Sequence, residues 1–216
     1  MNEPPTGPPR TILQAVGQYY ADRLERFGPT PRGVDWNSAE SQELRFSRLL
    51  EVVTPPDGPE GRSILDVGCG YGALLDHLRA RGMRLDYRGF DVSVPMIAAA
   101  QARHAGVENA LFSTDVEPLH PATYAVASGI FNVKLSYAVE PWRGHVLDTL
   151  ARLHRWSTAG FAFNLLSTYS DPDRRRDDLF YADPGEILDV CMRRFSSRVV
   201  LLHDYPLFEF TVVVRK

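Results

Sequence analysis

Two cysteines, Cys69 and Cys191, are all the thiol this 216-residue sequence holds, and they fall in no Cys-x-x-Cys spacing. That scarcity excludes a disulfide framework and a thiolate zinc site, and it reads as two reduced thiols of a cytoplasmic protein. Long apolar runs are missing as well: none approaches the roughly 18 residues needed to span a bilayer. The first ten residues, Met1-Asn-Glu-Pro-Pro-Thr-Gly-Pro-Pro-Arg10, lack the apolar centre of a secretory signal. With four prolines and little apolar content, they are expected to be a disordered tail. An excess of basic charge is absent too. The formal net charge is −3 at pH 7, which argues against holding a nucleic-acid backbone by bulk electrostatics. Neither a nucleic-acid partner nor a membrane is expected, and the oligomeric state is not legible.

What is present is an ordinary globular composition, 44% hydrophobic and 24% charged, at a length that suits one α/β domain with an appendage. The appendage comes first. Val16, Tyr19, Tyr20, Leu24 and Phe27 recur at helical spacing until Gly28-Pro29 stops the pattern. After a loop ending in Trp36, Asn37-Ser-Ala-Glu40 has the form of a capping box with Asn37 as the cap. The next helix presents Phe46, Leu49, Leu50 and Val53 on one face. Pro55-Pro-Asp-Gly-Pro-Glu-Gly61 then punctuates the chain. The expected organisation is a tail over 1–10, a helical cap over 11–55 and a core over 56–216.

In the core, strands are expected at 64–67, 85–91, 110–113, 124–130, 160–166, 198–202 and 207–214. Helices follow most of the first five, one of them opened by Asp183 as cap with Pro184 in its first turn. This outline predicts an α/β, doubly wound, mostly parallel seven-stranded sheet with a C-terminal antiparallel hairpin and an N-terminal two-helix cap.

One segment carries the chemistry. Asp66-Val-Gly68-Cys-Gly70-Tyr-Gly72 follows a strand and opens a helix. Glycines there permit a sharp turn and let a ligand approach the main chain. Gly68-x-Gly70-x-x-Ala73 also fits a dinucleotide-binding pattern. Two features weigh against that alternative: Asp66 would repel a pyrophosphate but attract an ammonium or sulfonium, and the closing hairpin is foreign to an all-parallel dinucleotide sheet. Asp91 ends the second strand, where a carboxylate can accept from two ribose hydroxyls; a capping or solvated aspartate is the plainer alternative, with Ser93 read as the cap of the next helix. Asp115 ends the third strand, where it could read an adenine edge or simply stabilise a turn.

Ile64-Leu-Asp-Val-Gly-Cys-Gly-Tyr-Gly72, with Asp91 and Asp115, resembles the first signature motif and the strand-end acids of class I S-adenosylmethionine-dependent methyltransferases over residues 63–216. The resemblance implies S-adenosylmethionine as cofactor. Gly68 and Gly70 would face its methionine part, Asp66 its amino group, Asp91 its ribose and Asp115 its adenine; Val116 and Ser128 complete the expected cofactor contacts. Segments 128–134, 163–169 and 181–184 resemble a bacterial subgroup of that family, which specifies no substrate.

A sulfonium methyl is already electrophilic, so such a protein chiefly aligns a nucleophile and excludes water. The acceptor is expected beyond the fourth and fifth strands, near Phe131, Asn132, Lys134, Ser167, Thr168 and Tyr169. Asn132 would position it, Lys134 could recognise an anionic acceptor, Tyr169 could contact it, and His203 could serve as a base. Tyr20 and Trp36 could face the sulfonium from a mobile cap over 11–53. Each has a bland alternative in a local hydrogen bond, a solvated charge or core packing. No acid lies within Ser128–Leu135, so no metal is expected; Arg174-Arg-Arg176, flanked by aspartates, reads as a self-paired loop. The expected activity is metal-independent transfer of a methyl group to an oxygen or nitrogen of a small-molecule acceptor by direct displacement. An NAD(P)-dependent oxidoreductase and a catalytically silent module supporting a partner protein are the rivals.

Overall fold

A computed structural model describes residues 11–54 and 61–216; the tail expected over 1–10, and all of the Pro55–Gly61 break except Gly61, lie outside the described residues. Helix α1 spans Ile12–Phe27. Thr11 caps it, exchanging bonds with Gln14 in a capping box, and Gly28 ends it at φ 66°. A single 3-10 turn over Pro31–Val34 leads to α2, Ala39–Leu49. The cap of α2 is Ser38, whose hydroxyl accepts from the Ser41 amide, not Asn37 as its spacing predicts.

The core then alternates β1 (Ser63–Val67), α3 (Ala73–Ala80), β2 (Asp86–Phe90), α4 (Val94–Arg103), β3 (Ala110–Ser113), β4 (Ala122–Ala127), α5 (Val139–Trp156) and β5 (Ser157–Ser167). It closes with β6 (Tyr181–Ala182), α6 (Pro184–Arg194), β7 (Arg198–Leu202) and β8 (Glu209–Arg215). The strands run β3-β2-β1-β4-β5-β8-β7, with the two-residue β6 paired to β5 beside that path. Strand β8 is antiparallel to both its neighbours, so β7 again runs with the parallel set. The seven-strand path and the closing hairpin match the expectation; the short β6 is additional. Strand four stops at Ala127 rather than Ile130, because Gly129 turns the chain at φ 72°.

Period-two alternation puts helices on both faces. Leu65, Val67, Ala125, Phe161, Phe163, Phe210 and Val212 pack with α5 and α6. Ile64, Tyr87, Tyr124, Val126, Ala162 and Val213 pack with α2, α3 and α4. Helix α2 is therefore built into the core: Phe46 and Leu49 are buried, as are Leu50 and Val52 just after it. By contrast α1 has no buried residue. Of the two helices expected to form the cap, one is a wall of the core and one lies over it.

The wall is fastened by charge. Arg45 Nε donates to Glu209 Oε2 at 2.8 Å, with both side chains buried. Asn164 Nδ2 donates to Glu209 Oε1 at 3.1 Å, and Asn164 Oδ1 accepts from the Gly129 amide at 2.7 Å. The Arg45 guanidinium lies 3.9 Å above the Trp36 ring. Trp36 in turn packs so closely on Gly129 that a Cβ there would stand 2.2 Å from the indole. Burial pushes the Glu209 carboxyl above its ordinary range, and Arg45 and Asn164 pull it back.

Breaking a buried pair from one side leaves an uncompensated charge. Arg45→Met is expected to lower unfolding free energy by about 3–5 kcal/mol in urea titration at pH 7. Adding Glu209→Gln should recover part of that loss; a single-variant loss below about 1 kcal/mol would place the fastening elsewhere.

Candidate active site

In an open sheet the ligand crevice opens where neighbouring strands connect to opposite sides. Here that point lies between β1 and β4. The turn after β1 is pinned by two amides, Gly68 and Cys69, donating to the Phe90 carbonyl at 2.7 and 3.0 Å. At Gly68 φ is 76°, and a Cβ would stand 2.2 Å from Ile130 Cγ2. Only glycine fits both the conformation and the space.

Asp91 holds the next part of the turn. Its Oδ2 accepts from the Gly70 amide at 2.9 Å and its Oδ1 from the Ser93 amide at 2.8 Å. Ser93 occupies the cap position of α4, but its hydroxyl makes no capping bond. Asp91 thus ties the amide of the cap residue to the glycine turn, a structural role beyond the one its position at the strand end predicts. Burial raises its carboxyl, against the pull of the two amides.

Asp66 is 2% exposed. Tyr87 donates its hydroxyl to Oδ2 at 2.6 Å, while Oδ1 has no partner. Burial pushes its carboxyl up to about 7, against the opposing pull of the Tyr87 bond. The Ser128 hydroxyl, on the loop after β4, is likewise buried without a partner. Buried polar atoms are nearly always satisfied, so both are places for a ligand atom.

These residues line one cavity of about 220 Å3: Asp66, Gly68, Gly70, Asp91, Val116 and Ser128, covered by Tyr20 and Trp36. His145, Asp148, Thr149, Arg152 and Trp156 complete it from α5. Sequence reasoning missed them, although their helical spacing was a usable signal. Burial lowers the His145 imidazole, so its neutral form is favoured.

A second cavity, of about 470 Å3, adjoins the first and shares Tyr20, Val34, Trp36 and Gly129 with it. Asn132 lines it, 6% exposed, with Oδ1 lacking any partner. Arg23, Arg32, Arg45 and Arg176 also line it, none of them singled out by the sequence reading as a site residue.

Phe131, Ser167 and Thr168 line neither cavity, and Asp115, Lys134, Tyr169 and His203 also stand apart from both. Asp115 is exposed, and its Oδ1 accepts from the Glu117 amide at 3.0 Å; it closes a turn, and Val116 beside it faces the cavity. Lys134 donates to the Tyr137 carbonyl at 3.3 Å. Tyr169 is 74% exposed, with its ring centre 6.0 Å from that of His203. His203 does sit at the ligand-side end of a parallel strand, but β4, β5 and β8 lie between that strand and the crevice, and its ring is against Phe210. Among the described residues no group of three or more His, Cys, Asp or Glu is placed to hold a metal ion.

The sequence profile of a methyltransferase domain matches residues 64–156. A protein of Mycobacterium tuberculosis (strain ATCC 25618 / H37Rv) described as a methyltransferase, Rv1506c, is 53% identical over 154 residues, 71% of this chain and 93% of its own length. Malonyl-[acyl-carrier protein] O-methyltransferase of Salmonella typhimurium is 29% identical over 169 residues, 74% of this chain and 62% of that one. Among solved structures, magnesium protoporphyrin IX methyltransferase from Synechocystis PCC 6803 with bound SAM superposes with a TM-score of 0.65 at 15% identity, covering 98% of this chain and all of that one. Human N-acetylserotonin methyltransferase in complex with SAM gives 0.62, also at 15% identity, over 97% of this chain and 60% of that one.

The raised Asp66 carboxyl has a consequence for folding. It stays protonated in the fold while its unfolded counterpart ionises, so its contribution is complete below the ordinary carboxylate range and is lost as pH rises through about 7. Unfolding of wild type and Asp66→Asn, compared at pH 4 and pH 7.5, should show the wild type losing up to about 4 kcal/mol more than the variant. Parallel pH profiles for the two proteins would mean that Asp66 is ionised in the fold.

Proposed function

This chain belongs to the methyltransferase family, and on that premise we propose that it transfers a methyl group from S-adenosylmethionine in the first cavity to an oxygen or nitrogen of a small-molecule acceptor in the second. The observation that carries this reading is the shared wall between the two cavities, with partnerless polar atoms on either side: Asp66 Oδ1 and Ser128 Oγ in one, Asn132 Oδ1 in the other.

The first cavity suits the cofactor. Asp66 Oδ1 is an open acceptor for an ammonium, and such a cation would draw the carboxyl into its ionised form. Each oxygen of Asp91 uses one lone pair on a backbone amide and keeps another for a ribose hydroxyl. Val116 and Phe90 offer apolar surface for a base. Bound there, S-adenosylmethionine would supply a sulfonium methyl to the acceptor's lone pair, the electron pair of the carbon–sulfur bond staying on sulfur and the acceptor's proton leaving to solvent as the product departs. Tyr20 and Trp36, lining both cavities, provide aromatic faces that attract a cation and walls that keep water out. Asn132 orients the nucleophile. Metal independence is part of the proposal: the loop after β4 offers an amide at Asn132 where a metal-dependent enzyme needs a carboxylate. So is a cytoplasmic location, supported by two unpaired, buried cysteines.

Calorimetry with S-adenosylhomocysteine tests the cofactor cavity. Wild type should bind it, and Asp91→Asn, which keeps one acceptor oxygen but loses the charge, should bind at least about tenfold more weakly. Unchanged affinity removes Asp91 from the site. Once an acceptor is found by screening, a chelator should leave turnover intact; turnover lost to the chelator and restored by magnesium overturns metal independence.

A further inference from the structure

The second cavity is unevenly charged. Four arginines line it, against the single carboxylate of Asp35. Asp35 is already engaged twice, by an ion pair with Arg23 and by the Tyr19 hydroxyl. Arg45 is balanced from behind by Glu209, and Arg176 by Asp178 at 2.5 Å. Arg32 has no carboxylate within ion-pair distance among the described residues. Its guanidinium stacks 4.8 Å from the centre of the Phe27 ring, which also carries Arg23 at 4.4 Å and the exposed Arg26 at 5.0 Å. Three guanidinium groups thus crowd one ring, and among the described residues Asp35 is the only carboxylate paired with any of them. Arg23 Nε is buried there without a partner.

Like charges held this close repel one another, and an anion between them relieves the repulsion. A planar guanidinium matches the geometry of carboxylate and phosphate oxygens. In the same cavity, Asn132 Oδ1 can only accept, so what faces it on a ligand must carry hydrogen. The Asn132 amide donates to the carbonyl of Gly129 at 3.3 Å, and Gly129 belongs to the wall that both cavities share.

We infer that the methyl acceptor is a small oxyanion-bearing molecule, its carboxylate or phosphate held by Arg23 and Arg32 and its reacting O–H or N–H presented to Asn132. The inference rests on the reading of the second cavity as the acceptor site. It also gives product release a cause. Methylating a hydroxyl removes the hydrogen that Asn132 binds, so the product loses that bond.

The test uses the full chain saturated with S-adenosylhomocysteine and three probes that share one phenol: 4-hydroxybenzoate, 4-hydroxyphenyl phosphate and the neutral 4-hydroxybenzamide. At least one anion should bind at least about tenfold more tightly than the amide, and its affinity should fall as salt is raised. Whichever anion binds better identifies the group as carboxylate or phosphate. Arg32→Gln, an exposed change, should weaken that anion at least about fivefold and leave the amide and S-adenosylhomocysteine unaffected; Arg26→Gln should act in the same direction, more weakly. Equal affinity for amide and anions, no binding of any probe, or anions indifferent to Arg32→Gln overturns the inference while the cofactor reading stands. Failure to bind S-adenosylhomocysteine overturns the cofactor reading itself.

Discussion

A closed circuit of contacts holds the front of this chain to its core. Gly129 gives its amide to Asn164, Asn164 gives its own to Glu209, Glu209 takes Arg45, Arg45 lies on Trp36, and Trp36 returns to Gly129. A buried carboxylate at Glu209 would be untenable alone; a guanidinium and an amide make it tolerable. The same circuit fixes the one loop that separates the two cavities. Gly129 can bring its backbone against the indole only because it lacks a side chain, and the contact sets where Trp36 stands between donor and acceptor. Core stability and site geometry here depend on the same few bonds.

That dependence explains why the helical front divides as it does. Helix α2 contributes Arg45 to the circuit and Phe46 and Leu49 to the core, and its position is over-determined. Helix α1 meets the rest of the protein mainly through the 3-10 turn after it and through α4. It brings Tyr20 and Arg23 to the cavities without burying a residue completely. A surface held by few apolar contacts opens at low free-energy cost. The element placed over the cavities is therefore the one best able to move aside for a ligand.

Much of this was legible in the sequence because it is local. The glycine turn, Asp66 and Asp91 lie within a strand–turn–helix unit whose backbone demands few residue types, and the alternation of apolar positions marked nearly every strand. What failed was decided by bonds that spacing does not show. Asp115 stands at the right strand end, but it closes a turn and Val116 beside it lines the cavity instead. Ser93 does hold the cap position, but its hydroxyl makes no capping bond. Glu209, in Leu207-Phe-Glu-Phe210, reads as an outward residue of an edge strand; it faces inward because β8 inserts between β5 and β7 and α2 covers that face. Three of the second cavity's arginines come from consecutive elements at the front of the chain and the fourth from residue 176, and no local pattern announces their meeting.

The same circuit spans nearly the whole chain: Arg45 and Glu209 lie 164 residues apart. A ribosome therefore makes Trp36 and Arg45 well before their partner Glu209. Until residue 209 emerges, β7 has no neighbour strand and α2 has no counter-charge beneath it. Its apolar face, Phe46, Leu49 and Leu50, packs on β1 and α3, which are made first, so only its charge waits for β8. Contacts of such separation form late and slowly. Closing the circuit is thus a topological demand on folding: β8 has to lie between β5 and β7 before Arg45 meets its counter-charge.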